Sequence, residues 1–141
     1  MLRRLAILVG ALALGVSACG GSDESSDPES SIRSYLSALA DNDGETACDA
    51  LTLDVRQRLV EQAGSTDCPA LVDQFHEFLG SDAERLKDAE ISNVSESGNE
   101  ASADVSLAGE TANVQLVEVE GGWRIDTFGF ANQLLGLEPS P

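Results

Sequence analysis

Few side chains in this sequence could do chemistry, chiefly three cysteines, one histidine and one tyrosine. Cys48 and Cys68 lie 20 residues apart, which does not fit the Cys-x-x-Cys spacing of a redox pair. A tetrahedral zinc site needs four ligands, and His76 alone cannot complete one around these thiols. Once Cys19 is assigned a separate role, two cysteines remain. In an oxidising compartment they are predicted to form a disulfide, with no metal site and no cofactor.

The histidine and the aromatic residues are the remaining candidates for a site. His76 follows Asp73 by three positions at the edge of an apolar helix face, and such a pair could act as a general base. No nucleophile or second buried carboxylate accompanies it, so we predict no catalytic residue. Tyr35 and Trp123 are interpreted first as core aromatics. Tyr35, His76 and Trp123 are kept as candidate ligand-binding residues.

The first 18 residues have the pattern of a secretion signal. Arg3 and Arg4 make a positively charged start, and an apolar run follows from Leu5 to Val16. At about 1.5 Å per residue, a helix of this length is shorter than the ~30 Å apolar core of a bilayer. We therefore predict a cleaved signal over residues 1–18 and not a membrane-spanning helix.

The residues that end this segment, Val16, Ser17, Ala18 and Cys19, resemble the lipobox of bacterial lipoproteins. The resemblance implies that a diacylglyceryl group is attached to the Cys19 sulfur and that the chain is cut before it. An ordinary signal peptide cut nearby is the alternative. Two or three acyl chains hold a protein on a bilayer, because each buried CH₂ contributes about 0.8 kcal/mol. The lipid bilayer is thus an expected partner, and the cell membrane, on its extracytoplasmic side, is the expected location.

The chain is strongly acidic, with 25 Asp and Glu against 8 Lys and Arg and a formal net charge of −17. Loss of the signal would also remove Arg3 and Arg4. Phosphate binding needs clustered Lys and Arg, so this composition excludes nucleic acid as a partner. The acidic residues are spread over every segment and form no Asp-x-Asp-x-Asp-Gly loop, which indicates a solvated surface and not a calcium site.

Residues 19–27 are predicted to be a flexible acidic tether, because residues 20–27 contain no apolar side chain. A folded domain is expected over residues 28–130, with residues 131–141 as a C-terminal tail. Asp27 and Pro28 are suited to the N-cap and first position of a helix that ends near residues 43–44. Its apolar positions recur at helical spacing: Ile32, Tyr35, Leu36 and Leu39.

Three further helices are predicted before the pattern changes. A short one over residues 45–51 carries Cys48, and a third stops at Gly64 with Val55, Leu59 and Val60 facing inward. A fourth runs from Asp67 to Gly80. Its broad apolar face is formed by Leu71, Val72, Phe75, Phe78 and Leu79.

From Ala89 onward the apolar period is 2, which indicates strands. The first strand contains Ile91 and Val94, and the second alternates cleanly over residues 101–107. A third is predicted over residues 114–119, with a bulge or burial on both faces. The Gly121-Gly122 turn then leads into a fourth strand, where Trp123 and Ile125 share a face. Helices followed by antiparallel strands predict a single α+β domain.

Two stretches resemble a nuclear-transport-factor-2-like domain of the ketosteroid-isomerase-like superfamily. The first has Tyr35-Leu36, Leu39-Ala40, the turn at residues 42–44, and Cys48 before Leu51-Thr52; the second is the closing hairpin of residues 117–125, where a Gly turn precedes Trp-basic-Ile. The resemblance covers about residues 28–128 and is especially like small lipoproteins of high-GC Gram-positive bacteria. It implies a curved antiparallel sheet wrapped around N-terminal helices in a cone-like, cystatin-like architecture. No chemistry follows, because the fold hosts enzymes, binders and scaffolds.

Three functions remain open at this point. The first is a membrane-anchored, non-enzymatic accessory domain that binds a small apolar ligand or an envelope protein. The second is a protein-docking module without a pocket. The third is an isomerase- or dehydratase-like enzyme using His76, Asp73 or Tyr35. A cavity of a few hundred Å³ would disfavour the docking module. A carboxylate or histidine with a perturbed pKa inside the cavity would favour the enzyme.

The lipid anchor gives the first testable prediction. Cys19→Ser should move the protein from the membrane fraction to the soluble envelope fraction or the medium, because the acyl chains supply the hold on the bilayer. Detergent-phase partitioning measures this, and a mutant that still partitions like the wild type would contradict the lipoprotein interpretation.

Overall fold

The structure is a computed structural model that describes residues 27–127 and 130–136. The predicted signal, Cys19 and nearly all of the tether lie outside the described residues, as do residues 137–141.

Four α-helices come first, as the sequence predicts: Pro28–Ala40 (α1), Gly44–Asp49 (α2), Leu53–Ala63 (α3) and Cys68–Leu79 (α4). Each begins where a side-chain oxygen accepts a backbone N–H of the first turn, at 2.7 to 3.3 Å. The caps are Asp27, Asp43, Thr52 and Asp67. Because these caps satisfy N–H groups that a helix leaves unpaired, they set where each helix starts.

The four strands form one antiparallel sheet in the order β1-β2-β3-β4. Their bounds are Glu90–Ser97 (β1), Glu100–Leu107 (β2), Glu110–Val119 (β3) and Gly122–Ile125 (β4). Alternate residues of β2, β3 and β4 are buried on one face, against α1 and a short C-terminal helix, Phe130–Leu134 (α5). The predicted α+β architecture, with helices packed against an antiparallel sheet, is confirmed.

The outer edge of β4 is closed by the connection between α2 and α3. Ile125 donates its N–H to the Ala50 carbonyl at 2.7 Å, and its own carbonyl accepts from the Thr52 N–H at 2.9 Å. Leu51 thereby pairs with Ile125 as a parallel bridge. An edge strand that would otherwise expose unpaired backbone groups is covered, and the helical half is joined to the sheet.

The sheet differs from the sequence prediction in two places. β3 begins at Glu110, because a two-residue turn at Ala108 and Gly109, both with positive φ, pairs Leu107 with Glu110. The predicted bulge or two-sided burial in the third strand is wrong, since β2 and β3 pair without a register shift and Val119 is 42% exposed. The irregularity lies in β1 between Ser92 and Ser95, where Asn93 has a φ of 52°.

The helical parts also differ from expectation. Phe78, predicted on the apolar face of α4, is 72% exposed. A 3₁₀ helix over Gly80–Asp88, which the sequence pattern does not predict, follows α4 and buries Ala83 and Leu86. In α5, Ala131 and Leu134 are buried, so the packed part of the chain continues past residue 130.

The predicted disulfide is confirmed, since Cys48 of α2 and Cys68 of α4 are bonded, with their Cα atoms 6.1 Å apart. The two helices meet closely next to it. A Cβ atom at Gly44 would lie 2.9 Å from the Pro69 Cα, which is closer than such atoms approach. Glycine is therefore required at position 44 by the contact with α4 and not by its own φ angle.

Gly44→Ala should lower the free energy of unfolding by about 1 to 2 kcal/mol. Overpacking against backbone costs about 1 to 3 kcal/mol. Replacing glycine gains little helical stability here, because Gly44 is the first residue of α2 and not an interior one. Chemical denaturation of the oxidised protein measures the change.

Gly122→Ala is the matched control, because a Cβ there would meet only the Val119 carbonyl oxygen, at 3.8 Å. It should be neutral or slightly stabilising. Equal effects of the two substitutions would show that the contact between Gly44 and Pro69 is not tight.

Candidate functional site

A cleft of about 260 Å³ lies among α1, α3, α4 and α5. Its walls are mainly apolar. The largest apolar side chains that line it are Leu39, Leu51, Leu59, Leu71, Val72 and Phe75. Leu59 and Phe75 are half-buried in this position, because their apolar surfaces face the cleft on one side and the core on the other.

Polar groups enter the cleft at a few points. Gln62 of α3 and Asn132 of α5 are partly or fully exposed residues of the lining, and Tyr35 is a buried one. Cys68 also lines the cleft, so the disulfide forms part of its wall. No carboxylate, histidine, lysine or arginine belongs to the lining, as far as residues 27–127 and 130–136 form it.

Tyr35 is the one predicted ligand-binding residue that the structure places in the cleft. Its side chain is 7% exposed, and its ring packs against Phe130 with centroids 5.4 Å apart and planes tilted by 42°. Burial raises the pKa of the Tyr35 hydroxyl far above its usual value. The phenol is therefore neutral at physiological pH and can donate a hydrogen bond.

His76 and Asp73 are not joined into a pair. The Nε2 of His76 lies 3.2 Å from the Ala40 carbonyl oxygen, at the end of α1. Asp73 accepts instead from the Asn42 side-chain amide at 2.9 Å. Neither residue lines the cleft. Both side chains bind the turn between α1 and α2 to α4, which is a structural role.

Trp123 is buried on the inner face of β4, 4% exposed, and does not line the cleft. Its backbone carbonyl accepts a hydrogen bond from the buried Ser31 hydroxyl at 3.0 Å, which joins β4 to α1. The residue thus fills the core between sheet and helix.

The strand carboxylate Asp104 lies on the outer face of the sheet, away from the helices. It accepts hydrogen bonds from the amides of Asn113 and Asn93, at 3.0 and 2.9 Å. These bonds hold the pKa of Asp104 below its usual value, so the group is an ionised surface carboxylate.

Most lining residues were not singled out from the sequence as a site. One sequence feature could have indicated a cleft. α3 and α4 have more apolar residues, such as Leu59 and Phe75, than are needed to pack these helices against the core. These extra apolar residues could equally have been buried in the core. Only the packing of the helices, including α5, shows that a space remains between them.

A comparison of the sequence with known protein families, with curated proteins and with solved structures finds no match. In the described ranges, no three His, Cys, Asp or Glu side chains come together as a metal-binding group. None of the helices there has both the length and the apolar character to cross a membrane.

His76→Gln should change the free energy of unfolding by less than about 1 kcal/mol, because glutamine can offer an N–H to the Ala40 carbonyl from a half-buried position. Function in cells should also be retained. Complementation of a deletion strain, with protein abundance measured in parallel, tests this. A folded, abundant His76→Gln protein that reproduces the deletion phenotype would favour the enzyme hypothesis.

Proposed function

We propose that this protein is an exported, lipid-anchored binding domain that holds a small, mainly apolar ligand in the cleft among α1, α3, α4 and α5. The observation that carries the proposal is the combination of apolar walls with a few neutral polar groups. Ligand sites are typically apolar hollows with a small number of placed polar groups. Tyr35 and Gln62 fit that description.

The lining favours binding over catalysis. General acid–base catalysis needs a titratable group within reach of the substrate, and the described lining contains none apart from the neutral hydroxyl of Tyr35. Two potential catalytic groups, His76 and Asp104, lie outside the cleft and are bonded elsewhere. We therefore propose that the ligand leaves the site chemically unchanged.

The volume limits the size of the ligand. A cavity of about 150 Å³ accommodates benzene, so 260 Å³ has room for about ten non-hydrogen atoms, as in a bicyclic molecule. The cleft is slightly smaller than most ligand-binding pockets, which are typically about 300 to 1,000 Å³.

Lipidation of Cys19 and an extracytoplasmic location belong to the same proposal. The disulfide between Cys48 and Cys68 supports export, because such bonds persist in oxidising compartments. We also propose membership of the nuclear-transport-factor-2-like superfamily. The order of elements supports it, with helices first, then an antiparallel sheet whose closing hairpin carries Trp123 on its inner face.

Gln62→Trp tests the cleft as a binding site. Gln62 lies on the exposed rim of α3, so a tryptophan there can cover the opening without entering the core. It should weaken binding of fluoronaphthalene, a neutral bicyclic probe, by at least about tenfold, which corresponds to about 1.4 kcal/mol. Fluorine NMR of the probe measures the affinity.

Gln57→Trp is the matched control, since Gln57 is an exposed glutamine of the same helix that does not line the cleft. It should leave the affinity unchanged. If the wild-type protein does not bind the probe, or if Gln62→Trp and Gln57→Trp weaken its binding equally, the cleft is not the ligand site.

A further inference from the structure

We infer that the cleft selects uncharged ligands that carry a hydrogen-bond-accepting oxygen, which the Tyr35 hydroxyl binds, and that it discriminates against carboxylates of the same size. This inference rests on the proposed binding function and names the chemical class of its ligand. A ketone, an ester or an ether on a small apolar body belongs to this class.

The Tyr35 hydroxyl has an unused hydrogen-bond donor at the cleft. The side chain is more than nine-tenths buried and lines the cleft, yet no hydrogen bond joins its hydroxyl to another group in the described part of the chain. The hydroxyl oxygen is not among the fully buried polar atoms that lack a partner in the described residues, so it remains accessible from the cleft that Tyr35 lines. An acceptor oxygen on the ligand would satisfy this donor.

The described lining of the cleft holds no positive charge that would compensate an anion. A carboxylate moved out of water needs a cation or several hydrogen bonds, and no Lys or Arg appears in the described lining. On α3, which forms one wall, Arg58 is already paired with Asp54 at 3.0 Å, and Arg56 is not part of the lining. The same burial that keeps the phenol of Tyr35 neutral disfavours any anion beside it.

The electrostatic field of the whole chain also disfavours anionic ligands. A formal net charge of −17 repels anionic ligands before they reach the cleft. At the rim, Gln62 and Asn132 offer neutral amides, which can bind a neutral polar group but do not offset a negative charge. Size, polarity and charge thus point to one class of ligand.

Three fluorinated bicyclic probes test the inference by fluorine NMR: fluoronaphthalene, fluorotetralone and fluoronaphthoate. They share a body of similar size and differ in having no polar group, a ketone or a carboxylate. The full chain is used in phospholipid nanodiscs, with empty nanodiscs as the blank for partitioning into lipid. We expect fluorotetralone to bind most tightly, and fluoronaphthoate at least about tenfold more weakly than fluorotetralone.

Tyr35→Phe removes only the hydroxyl. It should lower the affinity for fluorotetralone by about threefold to tenfold, the range expected for one neutral hydrogen bond. The affinity for fluoronaphthalene should change by less than about twofold. Thermal stability should be unchanged or raised, because no internal partner is lost. Phe75→Leu changes the lining without altering a polar group, so it should lower the affinity for both uncharged probes by the same factor.

The outcomes separate this inference from the proposed function. If fluoronaphthalene binds but Tyr35→Phe weakens all probes equally, or if fluoronaphthoate binds most tightly, the ligand class is wrong and the binding site stands. A clear loss of thermal stability in Tyr35→Phe would show that the hydroxyl already has a partner, and would also overturn the inference. If no probe binds the wild-type protein, the proposed function itself fails.

Discussion

Cys48 and Cys68 join α2 to the first turn of α4, and much of the helical half depends on this bond. Closing a loop of about 20 residues stabilises a folded chain by roughly 3 kcal/mol in the chain-entropy model, a large share of a small domain's stability. Two structural features lie beside the bond. Cys68 forms part of the cleft wall, and three residues after Cys48 the chain pairs Leu51 with β4.

The cleft exists because α3 does not pack tightly against the rest of the molecule. Val55 is the buried residue of that helix, whereas Leu59 and Val60 remain half-buried beside the core. Apolar surface left open in this way forgoes roughly 25 cal/mol for each Å² not removed from water. A ligand that covered Leu59 would recover this free energy, which is the physical basis of the proposed binding of apolar molecules.

Local patterns predicted much of the fold, and the failures have physical reasons. Asp67 marked the start of α4 because a cap acts within one turn, and residues 101–107 marked β2 because alternation is a local property of a half-buried strand. The start of β3 was missed because Ala108 is an unusual residue at positive φ, where glycine and asparagine are more common. Phe78 was misassigned because the helical period tells which residues share a face, but not how wide a face the neighbouring helices cover.

The sequence by itself determined the starts of α1 and α4, the α+β order, the pairing of the two downstream cysteines and the burial of Trp123. Each of these follows from short-range spacing or from residue chemistry. The tertiary structure alone decided that Tyr35 lines a cleft, that His76 binds a helix end and that α5 extends the packed part of the chain. These depend on distances between elements far apart in the chain, and such distances are set by how whole helix and sheet surfaces fit together, which no single spacing records.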